Sequence, residues 1–279
     1  MNKKVLTVLV LLLGLSAIAF AQFGGRRPGG GGGAFAGAAG QCLVPGYRGS
    51  GEEDLPTPRN IQKKGFVYAR VRYHLQPWRG GGEVPWHHDY PDGDTMFPTS
   101  LGRLTMTDTD FNSFQIVDID SKELFNYPFV YMSEPGYLDL RPADVKNLRE
   151  YFDRGGFMLM DDFRGNEFDN SQYENMAFQM KKVFPDREIR PIPPTHEIFH
   201  IFYDIDAQNM LPPYIMPGTS GPLQFLGITD AKGTLQVMID FNNDISEYWQ
   251  ALDVGSCSLH EAGTAVELGV NYALYAMTH

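Results

Sequence analysis

A helical pattern passes into a wholly apolar strand near the middle of the chain, with only two glycines between them. Apolar residues recur at helical spacing over Pro142–Arg154, and Gly155 and Gly156 end that helix. Phe157–Met160 follows at once and is apolar at every position. A strand that is apolar on both faces must be covered on both faces, as happens in parallel sheets. The run therefore predicts an α/β fold with helices on both sides of a sheet.

The other predicted elements repeat this alternation. Further strands are predicted at Phe66–Tyr73, Phe114–Ile119, Phe129–Met132 and Leu235–Ile239, and further helices at Ser171–Val183 and Ala265–Met277. Strands that alternate with helices favour a mostly parallel sheet, here in a single domain. Ligands of such sheets bind outside the carboxyl ends of the strands, so polar residues after predicted strands are candidates for a site.

Two adjacent carboxylates, Asp161 and Asp162, follow the apolar strand directly. Neighbouring side chains of a strand point to opposite faces, so one carboxylate can face the cleft while the other caps the next segment. The functional alternative is a metal ligand or general base. The structural alternative is a carboxylate that accepts backbone N–H bonds at the turn.

The segment from His196 to His200 has the HExxH pattern, in which two histidines on one helix face bind zinc and the glutamate acts as a base. Pro193 and Pro194 place His196 in the first turn of any helix, and no third ligand follows at the usual spacing. We therefore expect a short turn whose histidines cap and pack. A zinc hydrolase, or a cleft histidine without the glutamate's role, is the alternative.

A long loop after the first predicted strand contains Trp86, His87, His88, Asp89 and Tyr90. Its polar members are competent metal ligands, and long loops in compact domains are often functional. The alternative is a loop pinned by its two aromatic residues, with solvated histidines. Near the end of the chain, Asp244 either lines the cleft or shapes a turn, and we expect the turn.

Together these patterns define one set of candidate site residues. The predicted ligand-binding residues are His88, Asp89, Glu134, Asp161, Asp162, His196 and His200. Asp161, Asp162 and His196 are the candidates for catalytic roles, and Asp89, Asp161 and His196 are the candidates for metal ligation. No cofactor is predicted beyond a possible divalent metal.

Two segments precede the predicted folded domain. Residues 1–21 contain two lysines, an apolar run and the sequence Ala-Phe-Ala, which predicts a cleaved signal peptide, with an uncleaved anchor as the alternative. Residues 22–60 include a glycine-rich run that predicts a flexible linker. The domain is expected over 61–279, in the periplasm or secreted, with no transmembrane segment after cleavage.

Net charge and cysteine content limit the kinds of partner and of cysteine site that the chain can have. The formal net charge of −11 argues against nucleic acid, which requires a basic surface. We expect a small polar ligand or an envelope protein instead. The two cysteines, Cys42 and Cys257, are too few for a disulfide scaffold or a four-thiolate zinc site. In an oxidising compartment they either pair or remain unrelated thiols.

Several motifs over roughly Gly65–His279 resemble the bacterial family called domain of unknown function 4159. The motifs are Asp89-Tyr90-Pro91, Tyr127-Pro128-Phe129, Leu148-Arg149-x-Tyr151 running into GGFMLMDDF, Phe184-Pro185-Asp186-Arg187, His196-x-Ile198-Phe199-His200 and Tyr275-Ala276-Met277-Thr278-His279. That family is similar to class I glutamine amidotransferases and trehalose-utilisation-type proteins. The resemblance implies a flavodoxin-like fold, but it implies no activity.

One departure from the amidotransferase pattern bears on function. Those enzymes place a nucleophilic cysteine on a sharp turn after a buried strand, whereas the corresponding strand here ends in Asp161 and Asp162. A carboxylate does not replace a thiolate in attack on an amide. The sequence therefore favours a ligand- or partner-binding domain that lacks the nucleophile. The alternatives are a metal-assisted hydrolase that uses Asp and His residues at the strand ends, and a structural component of the envelope.

Overall fold

The computed structural model describes residues 65–77, 84–210, 220–252, 255 and 257–279. Its strands are β1 (Tyr68–Arg72), β2 (Phe114–Asp118), β3 (Phe129–Ser133), β4 (Phe157–Phe163), β5 (Arg190–Pro191), β6 (Gln224–Thr229) and β7 (Leu235–Phe241). Its α-helices are α1 (Asp92–Thr105), α2 (Pro142–Asp153), α3 (Ser171–Val183), α4 (Ile245–Gln250) and α5 (Leu259–Thr278). Single turns of 3-10 helix lie at Pro85–His87, Lys122–Asn126, Pro135–Tyr137 and Glu197–Phe199.

The strands form one seven-stranded sheet in the order β2-β1-β3-β4-β7-β6-β5. The five strands from β2 to β7 in this order run parallel, and β6 is antiparallel to both of its neighbours. The first four strands follow the flavodoxin-like order, and the predicted α/β class with a mostly parallel, helix-flanked sheet is confirmed. Because the parallel strands share one direction, the segments that follow β1, β3, β4 and β7 all emerge at one edge.

Alternating side chains of the strands pack into two cores, one on each face of the sheet. Tyr131 and Leu159 face the layer that contains α1, α4 and α5. Met132 and Met160 face the layer that contains α2 and α3. The strands are buried on both faces, which is the reason that β4 is apolar throughout its first four residues.

Most predicted elements lie within a few residues of the observed ones, and four were missed, of which β5 has only two residues. Helix α1 was missed because Pro98, which lies inside the helix, interrupts its helical pattern. Strand β6 is short and has an exposed residue at each end, so its apolar run is only four residues long. Helix α4 is only six residues long and has no stripe to detect. Helix α5 begins at Leu259, with Ser258 as its N-cap, rather than at Ala265.

The predicted signal peptide and linker lie outside the described residues. Cys257 is disulfide-bonded, and the chain has one other cysteine, Cys42, which also lies outside them. Among the helices that the structure describes, none is both long enough and apolar enough to cross a membrane.

Candidate functional site

Four strand ends bring one cluster of polar side chains together at the carboxyl edge of the sheet. The loop after β1 carries His88 and Asp89, and Glu134 follows β3. Asp162 lies in β4, and Asp244 follows β7. These five residues, with Arg164 and Glu247, are called the strand-end cluster below.

Three members of the cluster have a backbone in the left-handed region. The φ angles are 63° at Asp89, 45° at Glu134 and 58° at Asp162. Residues with a β-carbon adopt this region at a cost, and such residues concentrate at functional sites. The left-handed turn at Asp162 coincides with a shift in the β4–β7 register between Met160 and Phe163.

His88 lies close to three carboxyl groups of the cluster. Its Nδ1 lies 2.7 Å from Asp162 Oδ2 and 3.7 Å from Glu134 Oε1. Its Nε2 lies 4.0 Å from Asp89 Oδ1. The His88 side chain is 35% exposed, whereas the Asp162 and Asp89 side chains are almost fully buried. An imidazole that solvent can reach therefore covers buried carboxylates.

Arg164 connects Asp162 to the end of β7. Its Nη2 donates to Asp162 Oδ1 at 2.9 Å and to Asp244 Oδ2 at 3.2 Å. Asp244 also caps α4, since its Oδ1 accepts from the Glu247 backbone N–H at 3.0 Å. Asp244 is thus the N-cap of α4 rather than a turn residue, and the same carboxylate belongs to the cluster, which was the alternative to the expected turn.

Asp89 is held by residues of α4. The Ser246 hydroxyl donates to Asp89 Oδ2, and the Gln250 amide donates to Asp89 Oδ1 at 2.7 Å. The same amide donates to Glu247 Oε2 at 2.6 Å. Helix α4 thus places Glu247 beside Asp89.

The charges of the cluster shift its pKa values in opposite directions. Burial opposes the charging of His88, but Asp89, Asp162 and Glu134 together raise its pKa well above the usual value. Burial also opposes ionisation of Asp162, but His88 and Arg164 outweigh it and lower the pKa of that carboxyl. The His88–Asp162 contact is therefore an ion pair at neutral pH.

The remaining carboxyl groups have raised pKa values. Burial, together with the charge of Asp162, raises the pKa of Glu134 to about 8. Burial, together with Asp89, raises the pKa of Glu247 to about 8. Burial and neighbouring carboxylates also raise the pKa of Asp244 well above its usual value. The cluster contains more acid groups than its own cations can neutralise.

Asp161 lies behind the cluster and supports it. Its Oδ2 accepts from the backbone N–H groups of Ile245 at 2.9 Å and of Ser246 at 3.3 Å, and from the Tyr131 hydroxyl at 3.3 Å. Its other carboxyl oxygen, Oδ1, is buried without a hydrogen-bond partner. The two adjacent aspartates have different roles, since Asp162 faces the cluster, whereas Asp161 accepts hydrogen bonds from the first turn of α4 and not from the segment that follows β4.

The structure does not bring His196 and His200 to the cluster. The His196 ring packs on Tyr275 at 5.8 Å between centroids, and the Tyr275 hydroxyl accepts from the backbone N–H of Leu235, the first residue of β7. Asp244 follows the other end of that strand, roughly 20 Å away at the usual rise per residue. His196 caps the 3-10 turn at Glu197–Phe199, and His200 ends it. The HExxH segment is therefore the expected short turn.

Two groups of side chains in the cluster have the proximity that metal binding requires. His88, Asp89 and Asp162 form one group, and Asp89, Asp244 and Glu247 form the other. In each group the three ligand atoms lie within 4.8 Å of one another. Asp89 belongs to both groups. The structure thus brings together the predicted residues His88, Asp89, Glu134 and Asp162.

Arg164, Glu247 and Gln250 were not among the residues predicted from the sequence. Arg164 lies two residues after Asp162, so its place beside a strand end could have identified it. Glu247 and Gln250 lie on the short helix α4, whose sequence gives no sign that it packs beside the first loop.

The cluster has no accessible hydroxyl or thiol nucleophile among the described residues. The Ser246 side chain is fully buried and receives a hydrogen bond from Tyr131 at 2.7 Å, and its own proton is donated to Asp89. Cys257 is engaged in a disulfide. The arrangement can bind a cation or transfer a proton, and among the described residues it offers no free hydroxyl or thiol for covalent catalysis.

Comparison with known proteins agrees with the motifs described above. A search among curated proteins found no match. The model of a family described as a domain of unknown function, DUF4159, matches residues 67–277 and spans every strand of the sheet. The family resemblance is confirmed, whereas the similarity to glutamine amidotransferases stays a prediction. The chain belongs to the domain of unknown function 4159 family.

Proposed function

We propose that the protein is an exported ligand-binding protein whose ligand is a divalent cation, held in the strand-end cluster with Asp89 as the central ligand. The charge imbalance of the cluster carries this proposal. Five carboxyl groups, those of Asp89, Glu134, Asp162, Asp244 and Glu247, surround one imidazole and one guanidinium. Burial of carboxylates without compensating charge is costly, and the raised pKa values of Glu134, Asp244 and Glu247 indicate that these three groups stay protonated while no cation is bound. A divalent cation supplies the compensating charge.

The donor set indicates the kind of cation. Carboxylate oxygens are the ligands preferred by Mg²⁺, Ca²⁺ and Mn²⁺, and an imidazole nitrogen suits the transition metals. A set with one histidine among several carboxylates fits Mn²⁺ best, and His88 becomes a ligand on losing its proton as the cation binds. Asp89 is held from α4 by hydrogen bonds from Ser246 and Gln250. Such contacts fix the orientation of a ligating side chain, as outer-shell partners do in known metal sites.

Two observations support export. The first 21 residues have the charged, apolar and small-residue segments of a signal peptide. In addition, Cys257 is disulfide-bonded, and structural disulfides persist chiefly in oxidising compartments. A fusion of residues 1–21 to a periplasmic reporter tests export directly, and retention of the reporter in the cytoplasm would contradict it.

Titration of the mature protein with Mn²⁺, without a histidine tag, tests cation binding by calorimetry and by electron paramagnetic resonance. We expect stoichiometric binding, and we expect Asp89→Asn to weaken it at least roughly tenfold, as changes to metal sites do. Asp186→Asn is the matched control, because Asp186 is exposed and lies outside the cluster. The absence of Mn²⁺ binding by the unchanged protein would refute the proposal.

A metal-assisted hydrolase is the second candidate, and Glu134 favours it. Its carboxyl group lies 3.7 Å from His88 Nδ1, and its pKa of about 8 keeps it protonated near neutral pH. A protonated carboxyl group beside a cation-activated water can act as a general acid. Glu134→Gln should then abolish Mn²⁺-dependent hydrolysis of ester and phosphoester substrates while Mn²⁺ binding is retained. If no substrate is turned over, the protein is a binding protein alone.

A further inference from the structure

Arg70 lies at the centre of β1 with its side chain fully buried, and β3 separates β1 from β4 in the sheet. A buried guanidinium is costly unless its N–H groups find partners. Arg70 Nε donates to Asp94 Oδ1 at 2.9 Å, and Nη2 donates to Asp94 Oδ2 at 2.7 Å. Asp94 is also fully buried and lies in the first turn of α1. This two-point pairing fixes the plane of the guanidinium.

The rest of the guanidinium points to the loop that carries His88 and Asp89. Arg70 Nη1 donates to the His88 backbone oxygen at 2.9 Å and to the Trp86 backbone oxygen at 3.3 Å. The His88 oxygen belongs to the peptide that joins His88 to Asp89. Arg70 therefore holds the peptide from which both of these side chains depart.

The ring of Tyr131 supports the guanidinium from below. The Arg70 guanidinium carbon lies 4.9 Å from the Tyr131 ring centroid, and the Tyr131 hydroxyl donates to Ser246, which in turn donates to Asp89. The same buried network thus reaches Asp89 by two routes, through its backbone and through its carboxylate.

We infer that Arg70 is a positioning residue of the strand-end cluster, which sets the separation between His88 and Asp89 that allows them to share one cation. This inference rests on the proposed function. Lysine cannot take the place of Arg70, because a single ammonium group does not provide a planar fork that pairs with Asp94 and reaches the His88 oxygen together.

The variant Arg70→Lys in the mature protein tests the inference with three measurements: the Kd for Mn²⁺, the NMR signals of the His88 ring nitrogens, and the midpoint of thermal unfolding. We expect the Kd to rise about tenfold, as it does when outer-shell partners of metal ligands are changed. We also expect the His88 ring signals to shift, because the 2.7 Å contact with Asp162 depends on where the loop lies.

Asn147→Ala is the matched control. Asn147 is likewise buried and holds two loop carbonyls, those of Ile119 and Ser121, but at the end of β2 rather than in the cluster. We expect this variant to lower the thermal midpoint without changing the Kd or the His88 signals. If Arg70→Lys does not fold, Asp94→Asn weakens the same anchor while Arg70 remains, and a smaller change in the same two readouts is expected.

The outcomes separate the two proposals. An Arg70→Lys protein that folds with unchanged Kd and unchanged His88 signals overturns the positioning role and leaves the cation site standing. If the unchanged protein does not bind Mn²⁺, the proposed function fails, and the role of Arg70 in sharing a cation fails with it. The His88 signals then show whether Arg70 positions the ring at all.

Discussion

His88 and Asp162 form a hydrogen-bonded ion pair across 74 positions of the chain, with 2.7 Å between Nδ1 and Oδ2. The pair joins the loop after β1 to β4, although β3 lies between these strands in the sheet. On its other side Asp162 bonds Arg164, which reaches the end of β7 through Asp244. One carboxylate thus links three strand ends.

Replacement of Asp162 by asparagine should loosen that link. The pKa of His88 is expected to fall, because the charge of Asp162 is among those that raise it. The free energy of unfolding is expected to fall by about 2 kcal/mol, since hydrogen bonds to charged groups contribute roughly 1.5–3 kcal/mol. An NMR titration of His88 and urea unfolding measure the two effects.

Asp118→Asn is the control for this prediction. Asp118 is also paired with an arginine, Arg72, but both side chains are more than 40% exposed, so the expected loss is below about 1 kcal/mol. Equal losses in the two variants would contradict the importance of the buried pair.

The stability of the protein without cations should fall as the pH rises from about 5 to about 9. The pKa is about 8 for Glu134 and Glu247 and about 7 for Asp161, against ordinary values of 4.5 and 3.8. Between the ordinary and the raised values the folded state binds more protons than the unfolded state, so a rise in pH favours unfolding. The raised pKa of His88 acts in the same direction.

Asp162, whose pKa is lowered, does not oppose this trend, because its contribution is already complete above its ordinary value of 3.8. Thermal unfolding scans across this pH range measure the effect. Saturating Mn²⁺ should flatten the dependence, because the cation stabilises the ionised carboxylates. A thermal midpoint that rises towards pH 9 in the absence of cations would contradict the raised pKa values of these carboxyl groups.

The fold could be predicted because the apolar pattern of β4 admits few alternatives. The four consecutive apolar residues of Phe157–Met160, directly after an amphipathic helix, indicate a parallel sheet with covered faces. The rule that places ligands at the carboxyl ends of the strands then selected His88, Asp89, Glu134 and Asp162. His196 and His200 were selected by the HExxH motif instead. A motif carries no information about the edge of the sheet at which its residues lie.

The α4 side of the cluster could not be predicted for a different reason. Glu247 and Gln250 are positioned by a helix of six residues, and the conformation of that helix depends on the Asp244 cap and on the Asp161 carboxylate. The Asp161 contact is a tertiary contact across 84 positions. Local propensity does not report such contacts.

Removal of one carboxylate from the cluster should change thermal stability and Mn²⁺ affinity in opposite directions. Glu247→Gln is expected to raise the thermal midpoint at pH 9 without cations, because the substitution removes a carboxylate that repels Asp89. The same variant should bind Mn²⁺ more weakly, since Glu247 belongs to one of the two candidate ligand groups. Glu150→Gln, at an exposed position on α2, is the control and should change neither property beyond about 0.5 kcal/mol. Loss of both stability and affinity in Glu247→Gln would favour a purely structural role.

Asp161 and Asp89 should respond to substitution in opposite ways. Asp161→Ala leaves the buried N–H groups of Ile245 and Ser246 without an acceptor, and each unsatisfied group costs roughly 1–3 kcal/mol. We expect a large loss in the free energy of unfolding and a smaller loss of Mn²⁺ affinity than in Asp89→Asn. Asp89→Asn removes charge from a crowded acidic cluster, so stability at pH 8 should hold or rise while affinity collapses. If urea unfolding and Mn²⁺ titration instead gave both variants the same profile, the division between a supporting Asp161 and a ligating Asp89 would be wrong.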